Sequence, residues 1–157
     1  MYFWNIEALK EEIRGGHFSD KQAIPYIVLT TFLYTLGMEL VYYFPAQDSH
    51  NIWDVIDSIL SIVIPLFAIM YAYKKNGGGE GREFANKFFS IGFVLSIRFL
   101  VYSIVLLIVM IVYWSYIDQG DKTEETTLFE VVIFHLWYIL YYYWLGKHIE
   151  ETHTGVK

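Results

Sequence analysis

Cysteine is absent from the chain, which excludes disulfides, thiolate metal sites and cysteine nucleophiles. Basic residues are few: 11 Lys and Arg stand against 17 Asp and Glu, for a formal net charge of −6. That balance argues against a nucleic-acid partner, because a phosphate backbone requires a basic face. No HExxH zinc motif occurs, and the one glycine-rich run lacks the GK[ST] ending and flanking strand of a phosphate cradle. The charged first 23 residues contain no short apolar run ending in a cleavage site, so no signal peptide is expected. What abounds is apolar surface. Hydrophobic residues make up 55% and aromatics 20% of 157 residues, more than a soluble domain of this size can hide in its core.

The excess gathers into four blocks, near Ile24–Phe44, Asp54–Tyr73, Phe88–Tyr116 and Leu128–Gly146. Each is long enough to cross a bilayer, and backbone groups in lipid must be satisfied within their own segment, so helices are expected. The fold expected is therefore all-α: a polytopic four-transmembrane-helix bundle with a short N-terminal amphipathic helix. Its parts are residues 1–18 as an interfacial helix, 19–147 as the transmembrane domain and 148–157 as a cytoplasmic tail. Ser19 and Gln22 read as a capping box, Pro25 is tolerated in a first helical turn, and Pro65 predicts a kink. Tyr42, Tyr43, Trp53, Trp114 and Tyr116 mark one interface, and Tyr71, Tyr73 and residues 141–144 the other.

Cations set the direction. Lys10, Arg14, Lys21, Lys74, Lys75, Arg82, Lys87, Lys147 and Lys157 fall on one side, Lys122 alone on the other, and Arg98 inside the third block. The positive-inside rule then puts both termini and the middle loop in the cytoplasm. The opposite face carries Asp48, Asp54, Asp57, Asp118, Asp121, Glu124, Glu125 and Glu130, an asymmetry that sets topology or attracts cations.

Residues 2–14 place Tyr2, Ile6, Leu9 and Ile13 on one helical stripe, stopped by Gly15 and Gly16. Such a helix lies on the inner leaflet, anchored by Phe3 and Trp4, or packs against the ends of the spans. The middle loop has four glycines between Gly77 and Gly81, which favours a tight turn between antiparallel helices. Asn76, Gly77 and Gly78, followed by Gly81, Phe84, Phe88, Gly92, Val94 and Arg98, resemble a motif of small four-span bacterial inner-membrane proteins. The resemblance is clearest over 25 residues or so. It implies a loop joining spans two and three, with Asn76, Gly77, Gly78, Gly81 and Phe84 as its motif residues, and brings no activity with it.

Each block also offers one ionisable side chain. At about 1.5 Å per residue, Glu39, Asp57, Arg98 and His135 lie roughly 18–24 Å from the cytoplasmic helix ends. A charge at such depth costs on the order of 3 kcal/mol unless paired or hydrated. Arg98 is therefore expected to pair with Glu39 first and Asp57 second. The layer reads either as an internal ion pair that locks register or as the lining of an ion route or ligand pocket. Glu39, Asp57 and His135 are metal-ligand types on three separate helices, and His148 and His153 sit on an expected exposed tail, so no metal and no cofactor are assigned. Small residues at Ala68, Ala72, Gly92 and Ser96 favour close helix packing, and Ser58, Ser61, Ser90 and Ser103 can bond within or between helices.

An oligomeric ion-conducting or membrane-signalling component is the leading expectation, with the bilayer and further copies of the chain as partners. A structural or accessory subunit, docking an unidentified protein on the cytoplasmic side, is the second. An intramembrane lipid-modifying enzyme is the third, although the balance of features is against an enzyme.

Overall fold

The computed structural model describes residues 1–42, 51–117 and 126–153. Within them every regular element is helical: α1 (Ile6–Arg14), α2 (Asp20–Tyr42), α3 (Ile52–Lys75), a 3-10 turn at Gly78–Glu80, α4 (Phe84–Ile117) and α5 (Leu128–His153). Three of these, α3, α4 and α5, are long and apolar enough to cross a membrane by length and composition. Only 11% of the apolar stretch of α3, and 17% of that of α4 and α5, is buried inside the chain, so the apolar surface faces outward. The expected first span ends at Phe44, outside the described residues.

Helix starts follow side-chain chemistry. Asn5 caps α1 by accepting from the Ala8 N–H at 3.1 Å. Asn51 accepts from the N–H groups of Trp53 and Asp54 at 2.7 and 3.3 Å, and Asp54 returns the bond to the Asn51 N–H at 2.7 Å. Thr127 and Glu130 do the same for α5. Two of the expected outer acids, Asp54 and Glu130, thus serve as helix caps, where a carboxylate also meets the positive end of the helix dipole. Gln22 accepts from the Ser19 N–H at 2.7 Å. Since α2 begins at Asp20, Pro25 falls in its second turn rather than its first, and its missing N–H leaves the Lys21 carbonyl without that intrahelical bond. α3 continues through Pro65.

The long helices alternate in direction, and their ends meet in two sets. At the near end, Asn86 at the start of α4 bonds Asp20 at the start of α2, and Lys75 at the end of α3 pairs with Glu150 near the end of α5 at 2.8 Å. At the far end, Asn51 donates to the Thr126 carbonyl at 2.8 Å, Tyr113 meets the Thr127 hydroxyl at 2.9 Å, and the Trp114 indole donates to Glu130 at 2.6 Å. The helices stand in a row, α2 against α4, α4 against α5 and α5 against α3, and α2 and α3 share no extended contact. Among the described residues the helices thus form a row, and three of the four expected spans are long and apolar enough to cross a membrane.

Small residues let α5 sit close to both neighbours. Ala68 and Ala72 are buried, Tyr71 packs where a side chain on Gly146 would stand, and the Tyr141 hydroxyl donates to the Gly92 carbonyl at 3.1 Å. Ser58, Ser90 and Ser103 donate back to carbonyls of their own helices.

The core lies at the near end, where α1 crosses α4 and α5. Ile6, Leu9 and Ile13 are buried there against residues that include Ile91, Val94, Leu145 and Ile149. Each such side chain contributes roughly 1.5–3 kcal/mol of burial. Of the two readings of the N-terminal stripe, packing against the helical row is the one observed. Phe3 and Trp4 remain about half exposed, with Phe3 edge-on to Phe93 at 5.8 Å.

Candidate functional site

The four expected polar residues do not form one layer. Asp57 and His135 come together across α3 and α5, with the Asp57 carboxylate 3.6 Å from the His135 Nδ1. The same Nδ1 lies 2.8 Å from the Val131 carbonyl, the shorter contact, and with a proton on that nitrogen the ring donates along its own helix. Arg98 turns elsewhere. Its Nε and one terminal nitrogen donate to the Trp4 carbonyl at 3.0 and 2.6 Å, and its guanidinium lies 5.6 Å from the Trp4 ring centre. Glu39 is exposed on α2, and among the described residues it makes no ion pair with Arg98.

The expected Arg98–Glu39 pair is thus corrected, and the reason is directional. Side chains lean toward the N-terminus of their helix, so Arg98 reaches back to the near end, where the chain before α1 supplies a carbonyl. Arg98→Leu should destabilise the fold by about 1.5–3 kcal/mol, the range for a hydrogen bond to a charged group. Adding Glu39→Leu should recover none of it; recovery of half the loss in a double-mutant thermal series would reinstate the pair.

A denser polar cluster lies between α1 and α5. Lys10 is 2% exposed although it carries a charge. Its ammonium pairs with Glu7 at 2.7 Å and with Glu151, and stands 3.4 Å from His148 Nδ1. Arg14 adds a bond from its Nε to the Glu151 carbonyl at 2.8 Å. The ligand atoms of Glu7, His148 and Glu151 lie within 4.8 Å of one another, close enough to hold a metal ion. The Lys10 ammonium already contacts all three, so the cluster carries its own tethered cation.

His148 is buried, and α5 runs on to His153, which replaces the expected exposed tail over those residues. Lys147 onward is a polar end beyond the apolar stretch. Burial, and then the neighbouring Lys10 charge, hold the His148 imidazole below its ordinary value against the pull of Glu151 and Glu7. For Glu151 burial works upward, but the hydrogen bond and charge of Lys10 outweigh it and leave the carboxyl below its usual range.

The glycine-rich motif forms the turn beside this cluster. Asn76 is fully buried; its amide donates to the Arg82 carbonyl at 3.3 Å and accepts from the Lys87 ammonium at 3.0 Å. Gly77 and Gly78 take φ values of 92° and 58°, and the His153 ring stands where a Gly77 side chain would be. Phe84 packs edge-on to Tyr73 at 5.5 Å. Sequence reasoning missed Lys10, His148 and Glu151 as partners. The helical spacing of Glu7 to Lys10 and of His148 to Glu151 was a visible signal, but nothing local joins two helices 138 residues apart.

These features define an all-helical chain of membrane type, with three helices able to cross a bilayer and a polar junction at one end. No protein-family model, curated protein or solved structure matches it.

Proposed function

We propose that this chain is a small four-span protein of a bacterial inner membrane, with both termini cytoplasmic, and that it acts as a homo-oligomeric membrane-signalling component. α2 is the fourth span in this reading. It starts and runs beside α4, and its exposed apolar face suits lipid or another copy. Glu39, exposed on that face, favours a second copy, since a lone carboxylate in hydrocarbon is costly. The near end, which gathers most of the Lys and Arg residues, is then the cytoplasmic face.

The observation that carries the signalling reading is the Lys10 cluster. A short helix outside the spans is fastened to the end of the last span by charged groups, two of which titrate. A change in charge at the junction would release α1 and alter the row of helices at its cytoplasmic end.

The absence of cysteine makes the test direct, because single labels can be introduced at Glu11 on α1 and Lys147 on α5 without background. Spin-label distances in nanodiscs should be narrow at pH 8 and broaden toward pH 5, and Lys10→Met should broaden them at pH 8. Distances unchanged by both treatments would refute the moving element. A cysteine at position 119 should react with an impermeant reagent in intact cells; labelling only after lysis would reverse the topology.

Ion conduction between copies is the second reading, favoured by the half-exposed Asp57 beside buried His135. Liposome ion flux lost on Asp57→Asn would support it over signalling.

A further inference from the structure

A cavity of about 960 Å³ opens at the near end, where the end of α1, the turn before α4 and the last turn of α5 converge. Its lining includes Arg14, Arg82, Lys87, His153, Glu80 and Glu83. Lys87 is the informative residue. It is 7% exposed, yet its one described partner is the neutral Asn76 amide, and no carboxylate among the described residues lies within ion-pair distance. A buried ammonium held by a single neutral bond, with the Glu83 charge acting on it only from beyond ion-pair distance, has donors to spare.

Two further cations share the cavity. Arg14 commits its Nε to the Glu151 carbonyl, and its terminal nitrogens make no described bond. Arg82 is exposed, and its side chain makes no hydrogen bond or ion pair among the described residues. Glu83, directly before α4, holds a φ of 55°, a left-handed conformation uncommon for glutamate. Such strain is found at binding sites, and here it shapes the turn leading into the positive end of a long helix.

The charge balance limits the ligand. Glu80 and Glu83 are both exposed and offset two of the three permanent cations, which leaves a small positive excess, so a single compact phosphate group, at most dianionic, fits better than a polyanion. Apart from His153 the lining has no aromatic side chain, which removes the stacking platform that a nucleobase uses. Arginine forks and a lysine point charge suit phosphate oxygens. We propose that this cavity binds a dianionic phosphate group, with Lys87, Arg14 and Arg82 as its ligands. The group belongs either to an anionic phospholipid headgroup or to a soluble phosphate compound. The site does not depend on the α1 junction acting as a signal, since Lys87 and Arg82 lie outside that cluster and only Arg14 is shared with it.

The test uses the full chain in nanodiscs of zwitterionic phosphatidylcholine, titrated with inorganic phosphate by calorimetry, and in matching discs containing phosphatidic acid. Saturable phosphate binding, weakened about tenfold or more by Lys87→Gln and by Arg82→Gln, is expected for a charge-assisted site. Retention of phosphatidic acid in native mass spectra, lost in Arg82→Gln, would identify the headgroup as the source. Phosphate binding undiminished by phosphatidic acid would identify a soluble one. If Lys87→Gln fails to fold, Arg82→Gln and Arg14→Gln carry the comparison. Absence of both phosphate binding and lipid retention in the wild type would overturn the proposal, as would binding equal in wild type and in every folded variant.

Discussion

Gly81→Ala should cost more than about 3 kcal/mol and remove most of the folded protein, because overpacking against an immovable group lies at the severe end of single substitutions. A Cβ at Gly81 would stand 1.9 Å from the Asn76 carbonyl oxygen and 2.5 Å from its Nδ2. Neither atom can retreat, since Asn76 is fully buried and bonded to both Arg82 and Lys87. The effect is steric, for the φ of Gly81 is an ordinary −73°. Gly77→Ala should fall between, at about 1–3 kcal/mol, from positive φ and the nearby His153 ring. Gly79→Ala meets nothing within 4 Å and should stay within about 0.5 kcal/mol. Melting in detergent, read by size-exclusion yield, ranks the three, and equal melting of the 79 and 81 variants would disprove the close approach.

Lys10→Met should cost about 2–4 kcal/mol at neutral pH, somewhat less than breaking a fully buried ion pair, because Glu7 and Glu151 keep some solvent. Their side chains are 64% and 34% exposed, whereas that of Lys10 is 3% exposed. The substitution strands two carboxylates at the α1–α5 junction, so adding Glu151→Leu should recover part of the loss. The pH dependence separates this from simple loss of packing. A depressed His148 value means that the unfolded chain binds more protons near the ordinary 6.5, so its stability is full above that value and falls as pH drops below it. A depressed Glu151 value places its contribution above the ordinary 4.5, to be lost as pH falls through the lower folded value. Wild type should therefore lose stability on acidification. The gap between wild type and Lys10→Met should narrow as the carboxylates are protonated, and a gap constant from neutral to acid pH would assign Lys10 a packing role alone.

Hydropathy and periodicity along the chain were enough to read the all-helical class, three of the four expected apolar spans and the amphipathic stripe of Ile6, Leu9 and Ile13, because each depends on residues a few positions apart. The turn at Gly77 and Gly78 was legible for the same reason. Gly81 was named only as part of a motif, since its constraint comes from an atom of Asn76 folded back on it.

The tertiary structure decided the rest. Depth counted along helix axes put Glu39, Asp57, Arg98 and His135 at one level, but level says nothing of which face each side chain occupies or which way it leans. Two of them met, Arg98 found a carbonyl of the N-terminal arm, and Glu39 remained on an exposed face. Whether α1 lay flat or packed, and whether Lys10 would find Glu151 across 141 residues, depended on how the helices stand in a row. Local sequence sets which segments become helical and apolar; long-range packing alone determines which charges are buried together, because the free energy of those contacts exists only once the helices are side by side.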